Sequence, residues 1–295
     1  MPCAAAARPP VPAVNAVIIH RAWMNPPLFT LRAHLIALAF SALPSIAFAA
    51  GFSWTMGDFD SGVIAPSPLP AGDTLTITGS DTKRFSGGSF TNLGTVQWFA
   101  GSVEGTNGAA VFNAGLWTSF ANTALTGSGT LPVFTNTGTL RKSGESGSTT
   151  IGNWIFANNA GAIDSQVGTI LFNGRTAAFN DGSKFQGAGS VSIAADAAFN
   201  GALFSDNLTL ASGVFTGTNA KLAGGVAKAA GQLAWTAGDF AGTWEIGAGN
   251  TLTASGTGPK RQAGGSLVNL GTVLWNATTG FQGGNNAALR QSWPV

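Results

Sequence analysis

The chain has 295 residues, of which 44% are hydrophobic, 9% are charged and 42 are glycine, and its formal net charge is +2. So hydrophobic a composition excludes a disordered tract, and a chain of this length ordinarily forms one or two domains. The abundant glycine is typical of many short strands separated by turns.

The N-terminal segment contains a predicted secretory signal. Arg32 and His34 precede an apolar run, and Ala47-Phe48-Ala49 places small residues where a signal peptidase needs them. We therefore predict a presequence and signal peptide over residues 1–49, with cleavage after Ala49 and the true start at Met24. The apolar run is too short to span a bilayer, so we expect no integral membrane segment in the mature chain.

Removal of this leader changes the chemical inventory. Cys3, His20 and His34 lie within it and three arginines leave with it, so the mature chain keeps 11 basic and 12 acidic side chains, a net charge of −1. That charge removes the main support for a nucleic-acid partner. Without cysteine or histidine the mature chain can form no disulfide, no zinc site of the usual kind and no nucleophile–base triad.

A repeat of about 22 residues organises the mature chain. Phenylalanine recurs at steps of 22, 22, 22, 23 and 20 residues, at positions 90, 112, 134, 156, 179 and 199. A fixed step of this size indicates stacked repeats, and alternations such as Leu75 and Ile77 among threonines indicate β-strands. We predict an all-β fold, a single-stranded right-handed parallel β-helix (solenoid) over residues 50–289, with coils of about 22 residues.

Stacking predicts columns of like residues. Strands in successive coils would lie roughly 4.8 Å apart, so about eleven coils would make a rod on the order of 50 Å long. An aromatic column would fill the interior, formed by Phe90, Phe112, Phe134, Phe156 and Phe179. An asparagine column would lie at a turn, because asparagine tolerates left-handed backbone geometry and the glycine two residues on permits the bend; its members would be Asn92, Asn113, Asn136, Asn159 and Asn180.

A longer period overlies the short one. Residues 74–79 are matched by 251–256, and residues 92–98 by 269–275, at an offset of 177 residues. This offset equals about eight of the shorter steps. We therefore expect the same block to return eight coils further along the shaft.

The repeat phrases resemble those of a known group. Residues 86–96 and 134–144 look like repeats of large bacterial secreted β-helix proteins, the passenger regions of autotransporters and filamentous-haemagglutinin-type adhesins. The resemblance covers residues 54–289 and implies a β-helix and a surface or adhesive role, with no shared catalytic motif. Residues 290–295 depart from the pattern, so we expect a non-repeat tail left by truncation of a longer gene. We also expect end-to-end self-association through the uncapped solenoid end.

Two sets of side chains keep a carbohydrate function open. Asp58 and Asp60 would share one face of a strand, as an acid–base pair requires, and exposed tryptophans would offer a platform to sugar rings. We favour a solvated turn for the two acids and interior packing for the tryptophans. The tryptophans of the mature chain are Trp54, Trp98, Trp117, Trp154, Trp235, Trp244, Trp275 and Trp293.

Pairs of basic residues and pairs of glycines are further candidate binding sites. Lys83-Arg84, Arg141-Lys142 and Lys260-Arg261 are candidates for binding anionic surface polymers, although we favour solvated turns. Gly87-Gly88 and Gly264-Gly265 lack the aspartate of the calcium-binding nonapeptide. The sequence therefore predicts no metal site.

These observations favour an exported structural or adhesive protein of the bacterial cell surface, with no catalytic activity. We expect no catalytic, cofactor-binding or metal-binding residues and no cofactor. The expected partners are a surface polysaccharide or the surface of a host or neighbouring cell. The alternative is a carbohydrate-active β-helix enzyme or a polysaccharide-binding module.

Overall fold

The computed structural model describes residues 49–60 and 62–291. Apart from its last residue, Ala49, the predicted presequence with its start at Met24 lies outside the described residues, as does Trp293 in the predicted tail. The described part of the chain contains no helix, so it holds none long and apolar enough to cross a membrane.

The described residues contain thirty strands joined by turns. In chain order they are β1 (Gly51–Trp54), β2 (Gly57–Asp58), β3 (Thr74–Ile77), β4 (Lys83–Ser86), β5 (Ser89–Asn92), β6 (Thr95–Trp98), β7 (Val103–Thr106), β8 (Ala110–Asn113), β9 (Leu116–Ser119), β10 (Ala124–Gly127), β11 (Val133–Asn136), β12 (Thr139–Lys142), β13 (Ser148–Ile151), β14 (Ile155–Asn158), β15 (Ala162–Ser165), β16 (Thr169–Phe172), β17 (Ala177–Phe179), β18 (Ser183–Gln186), β19 (Ser190–Ile193), β20 (Ala197–Ser205), β21 (Leu208–Leu210), β22 (Val214–Gly224), β23 (Gln232–Trp235), β24 (Gly238–Ile246), β25 (Thr251–Gly256), β26 (Lys260–Ala263), β27 (Ser266–Asn269), β28 (Thr272–Ala277), β29 (Phe281–Gly284) and β30 (Ala288–Gln291).

The strands form a three-sided parallel β-solenoid of about 11 coils spaced roughly 21 residues apart. The first side is built from β1, β3, β6, β9, β12, β15, β18, the C-terminal parts of β20, β22 and β24, then β27 and β30. The second side is the 11-stranded sheet β2, β4, β7, β10, β13, β16, β19, β21, β23, β25 and β28. The third side is built from β5, β8, β11, β14, β17, the N-terminal parts of β20, β22 and β24, then β26 and β29. This arrangement confirms the predicted parallel β-solenoid, and the right-handed sense of its winding stays a prediction.

Side chains alternate between the interior and the surface along most strands. In β3, for example, Leu75 and Ile77 are fully buried while Thr74 and Thr76 are half-buried. Alternate side chains of a strand point to opposite faces of its sheet, so one set from each side fills the shaft. The core is therefore one continuous apolar column and not a series of separate cores.

The aromatic column differs from the prediction at Phe112. Phe90 and Phe134 are both paired with Val111, and Phe112 points outward with 39% of its surface exposed. The phenylalanine spacing of 22 residues hides a shift of one residue in β8, which moves a side chain to the opposite face of a strand. Phe134 and Phe156 do stack as predicted, at 5.6 Å between ring centroids, and Phe179 stacks on Phe199 at 5.2 Å.

The asparagine column also differs from the prediction. It is formed by Asn92, Asn113, Asn136 and Asn158, which are buried at the ends of their strands and do not have positive φ angles. Each Nδ2 of the first three donates to the Oδ1 of the asparagine in the next coil at 2.7 Å. Asparagine is needed there because one amide both donates and accepts. The predicted Asn159 and Asn180 join Asn200 in a separate ladder nearer the surface.

The long period carries the repeated block onto a different side of the shaft. β3 lies on the first side and its match within β25 lies on the second, while β4 lies on the second side and its match β26 lies on the third. The offset of 177 residues thus covers eight coils and one further side. The matched segments therefore present their outward side chains in different directions.

Candidate functional site

The tryptophans pack inside the shaft. Six of those named from the sequence have at most 2% of their surface exposed: Trp54, Trp98, Trp117, Trp154, Trp235 and Trp244. Trp98 ends its strand, and its Nε1 donates to the carbonyl of Gly101 at 2.9 Å, across the corner that follows. Trp54 and Trp235 make the same contact with the glycine three residues on. These three indoles therefore close corners, and only Trp275 is exposed among the described tryptophans.

The lysines of the three basic pairs are buried, so the expected solvated turns are wrong. Lys83, Lys142 and Lys260 have no exposed surface, and each ammonium lies at a corner where it donates to backbone carbonyls. Burial lowers the pKa of all three ammonium groups, because removal from water disfavours the charged form. These lysines serve as internal caps for carbonyls that the turns leave unpaired.

The arginines of the same pairs join neighbouring coils. Arg84 Nε lies 2.8 Å from Glu104 Oε2, and Arg141 Nε lies 2.8 Å from Asp164 Oδ2. Arg261 binds Asp239 with two parallel hydrogen bonds of 2.8 Å.

These ion pairs have an electrostatic consequence, because the hydrogen bond from Arg84 lowers the pKa of Glu104. Hydrogen bonds to the charged form of a carboxylate favour that form. The three basic pairs also lie on three different sides of the shaft, so they do not form one patch for an anionic polymer.

These ion pairs are not among the contacts predicted from the sequence, although the sequence contains a signal for them. In each pair the acid lies 20 to 23 residues from the arginine. Opposite charges one coil apart stack on adjacent parallel strands. A search at the repeat distance, and not at helical or hairpin spacing, would have found them.

The two candidate catalytic acids lie apart from any buried polar cluster. Asp58 and Asp60 are both exposed, on and just after β2, and the backbone carbonyl of Asp60 accepts from Val63 and Ile64 in the following turn. Within the described ranges, no three His, Cys, Asp or Glu side chains come together as metal ligands would. Asp58 lies beside Arg84 of the neighbouring strand β4, and Asp60 begins the turn that follows β2.

The second side presents an uncharged outer surface along half of the shaft. From β13 to β25 its outward residues are half-buried, and they repeat from coil to coil in two columns. The residues are Ser148, Thr150, Thr169, Leu171, Ser190, Ser192, Thr209, Gln232, Ala234, Thr251 and Thr253. Most of these coils thus carry at least one outward hydroxyl group, and neighbouring coils lie roughly 4.8 Å apart.

The third side and the last described coil expose larger apolar side chains. Phe112 and Ile155 lie on the third side with 39% and 46% of their surface exposed. At the last described coil an apolar cavity opens between Leu252, Trp275 and Leu289. Phe112 and Ile155 lie two coils apart and in different outward columns, so they offer two separate apolar contacts.

No protein-family model, curated protein or solved structure matches this chain.

Proposed function

We propose that this chain is an exported structural or adhesive protein of a bacterial cell surface, with no catalytic activity. One observation carries the proposal: the side chains that chemistry or ligand binding would need are used to hold coil on coil. Six tryptophans are buried, and the three basic pairs cap corners or bridge coils. The surface that remains is a repeated pattern along a shaft, which is the usual form of an extended contact surface.

Two sequence features support export and adhesion. The predicted signal over residues 1–49 directs the chain out of the cytoplasm. The phrases at residues 86–96 and 134–144 resemble passenger repeats of autotransporters and filamentous-haemagglutinin-type adhesins. A surface polysaccharide or another cell would then be the partner, and the outer sides of the shaft would meet it.

Attachment of cells that express the full chain tests the proposal. We expect such cells to expose the chain to an added protease and to bind a polysaccharide-coated or cell-coated surface more strongly than cells with an empty vector. The double substitution Phe112→Ser/Ile155→Ser should weaken attachment without changing the far-ultraviolet circular dichroism, because both side chains point outward. Leu171→Ser on the second side is the matched control.

Catalytic activity on polysaccharides would contradict the proposal. Cleavage of pectins, alginates or glucans by the purified chain, lost in the Asp58→Asn/Asp60→Asn variant, would replace this proposal with the carbohydrate-active enzyme.

The exposed apolar residues of the last described coil support self-association of the chain. Leu289 is 58% exposed and Trp275 is 39% exposed, and both line one apolar cavity. Side chains of this kind can pack against a second copy of the chain. We expect the sedimentation coefficient of the full chain to rise with concentration, and Leu289→Lys to abolish the rise.

A further inference from the structure

Lys142 differs from the other two corner lysines in one contact. Lys83 and Lys260 donate only to backbone carbonyls. The Nζ of Lys142 also lies 3.2 Å from the side-chain Oδ1 of Asn122. A primary amine beside a carboxamide is the pair of groups from which an amide cross-link can form.

The bonds around this amine direct its lone pair. Nζ of Lys142 lies 2.9 Å from the carbonyl oxygen of Gly144 and 3.1 Å from that of Ala121, in addition to Asn122. An ammonium group has three hydrogens for these three acceptors. After it loses one proton, two hydrogens can stay on the two backbone carbonyls. The lone pair then takes the third direction, toward the carboxamide.

Burial favours loss of that proton, and a carboxylate holds Asn122 in place. Burial is the larger effect on Lys142 and lowers its pKa, and the nearby charge of Glu145 acts in the opposite direction. Glu145 Oε2 accepts the backbone N–H of Asn122 at 3.0 Å. Glu145 also has a φ of 49°, in the left-handed region that non-glycine residues rarely adopt outside constrained sites. Its carboxylate is thereby held against the same corner.

Gly147 packs against one face of the Asn122 carboxamide. A Cβ placed on Gly147 would lie 2.5 Å from each of the Cγ, Nδ2 and Oδ1 atoms of Asn122. Equal distances to the three atoms place that Cβ position, and the backbone that would carry it, over one face of the amide plane. A nucleophile must approach such a carbon from one side of that plane, so the opposite face is the one open to attack.

We propose that Lys142 and Asn122 form an intramolecular isopeptide bond, with Glu145 holding Asn122 in position. Nζ loses one proton to water, and its lone pair attacks Cγ of Asn122. A second proton then passes from Nζ to Nδ2 by way of water, the carbonyl re-forms, the Cγ–Nδ2 bond breaks and ammonia leaves. One amide replaces another, so the step needs no oxidant and no cofactor. Asn122 is exposed, which gives the ammonia a path to solvent.

The bond would join two successive coils. Asn122 lies in the corner after β9, and Lys142 ends β12, the strand stacked on β9. A covalent link between positions 20 residues apart would close this corner and hold the two coils together if the neighbouring hydrogen bonds opened. This inference rests on the corner geometry and not on the adhesive role.

Mass spectrometry of the denatured full chain tests the bond. Trypsin should fail to cut after Lys142, and peptides 85–141 and 142–175 should appear as one branched species, lighter than their sum by one ammonia molecule. Lys83 and Lys260 should be unlinked in the same digest and serve as internal controls. A free peptide 143–175 produced by complete cleavage after Lys142 would overturn the proposal.

Variants assign the roles within the cluster. Asn122→Ala should give the unlinked peptides, whereas Glu104→Gln at another corner should keep the branched species. Glu145→Ala should give less of the branched species, because the backbone N–H of Asn122 loses its acceptor, and Glu145→Gln, whose side-chain oxygen can still accept that bond, should restore it. The wild-type digest decides the bond even if Asn122→Ala fails to fold. A branched species that is undiminished in Glu145→Ala would overturn the role assigned to Glu145.

Discussion

At the scale of single residues, polar side chains inside the shaft are paired along its axis. Asn113 shows this most clearly, because it accepts from Asn92 below and donates to Asn136 above, both at 2.7 Å. A buried polar group is stable only when its hydrogen bonds are made. The repeat supplies the partner automatically, since the same residue type stands one coil away.

Removing one member of this ladder should be costly. Asn113→Ala leaves one N–H of the Asn92 amide and the Oδ1 of Asn136 without their partner in a buried site, while the Asn92 amide keeps its bond to Leu116 O. Each unsatisfied group costs about 1–3 kcal/mol, so we expect the free energy of unfolding to fall by roughly 2–4 kcal/mol. Urea denaturation measures it. The matched control is Asn180→Ala in the ladder nearer the surface, for which a loss as large as that of Asn113→Ala would contradict this account.

The ion pair between Arg84 and Glu104 should make part of the stability depend on pH. The pKa of Glu104 lies below its ordinary value of 4.5 in the folded chain, chiefly through the hydrogen bond from Arg84. The unfolded chain then binds the proton more readily, so the stabilisation is present above about pH 4.5 and is lost as the pH falls through the folded value.

Glu104→Gln tests this dependence. The variant should be less stable than the wild type at pH 7, and the difference should shrink toward zero at pH 3, as measured by urea denaturation at the two pH values. A difference of the same size at both pH values would show that Glu104 acts by packing and not by its charge.

At the scale of strands and turns, glycine sets how closely the coils approach. Gly94, Gly115 and Gly138 follow the buried asparagines, and their φ angles are ordinary. A Cβ on Gly138 would overlap the carbonyl oxygen of Gly115 in the coil before it. Glycine was predicted at these positions because it permits a left-handed bend, and that reason is wrong. Close approach of the neighbouring backbone is what excludes a side chain here.

Gly138→Ala should therefore destabilise the shaft. Forcing a methyl group into this contact should cost about 1–3 kcal/mol or more, because the backbone of both coils would have to shift. Gly280→Ala is the control, since a Cβ there meets nothing within 4 Å and the φ angle is ordinary. Equal thermal midpoints for the two variants would mean that the coils are not stacked as described.

Particular residues show how far the sequence could predict the structure. The spacing of Phe134 and Phe156 predicted that the coils stack and how many residues one coil contains, because in-register coils repeat the same side chain. It failed at Phe112 and Asn159, where the chain slips by one residue and the outward and inward positions exchange. It also gave no sign that Lys83, Lys142 and Lys260 are buried, since their corner contacts are made by backbone carbonyls that carry no sequence signature.

At the scale of the whole molecule, three sides of one shaft carry different chemistry. The first side holds the Arg141–Asp164 and Lys221–Glu245 pairs, the second is uncharged from β13 to β25, and the third exposes Phe112 and Ile155. The repeated block turns by one side along the shaft, so its basic pairs do not line up. A long shaft with unlike sides suits contact with a surface along its length, as the proposed function requires.

The stacking of coils in register is the central claim, and distances between spin labels test it most directly. Thr150, Ala234, Thr253 and Leu274 lie in one outward column of the second side, with Thr150 four, five and six coils from the others. Labels at Thr150 and each of the other three should give electron–electron distances near 19, 24 and 29 Å, rising by about 4.8 Å per coil. Distances that do not rise by this constant step from one coil to the next would contradict the solenoid.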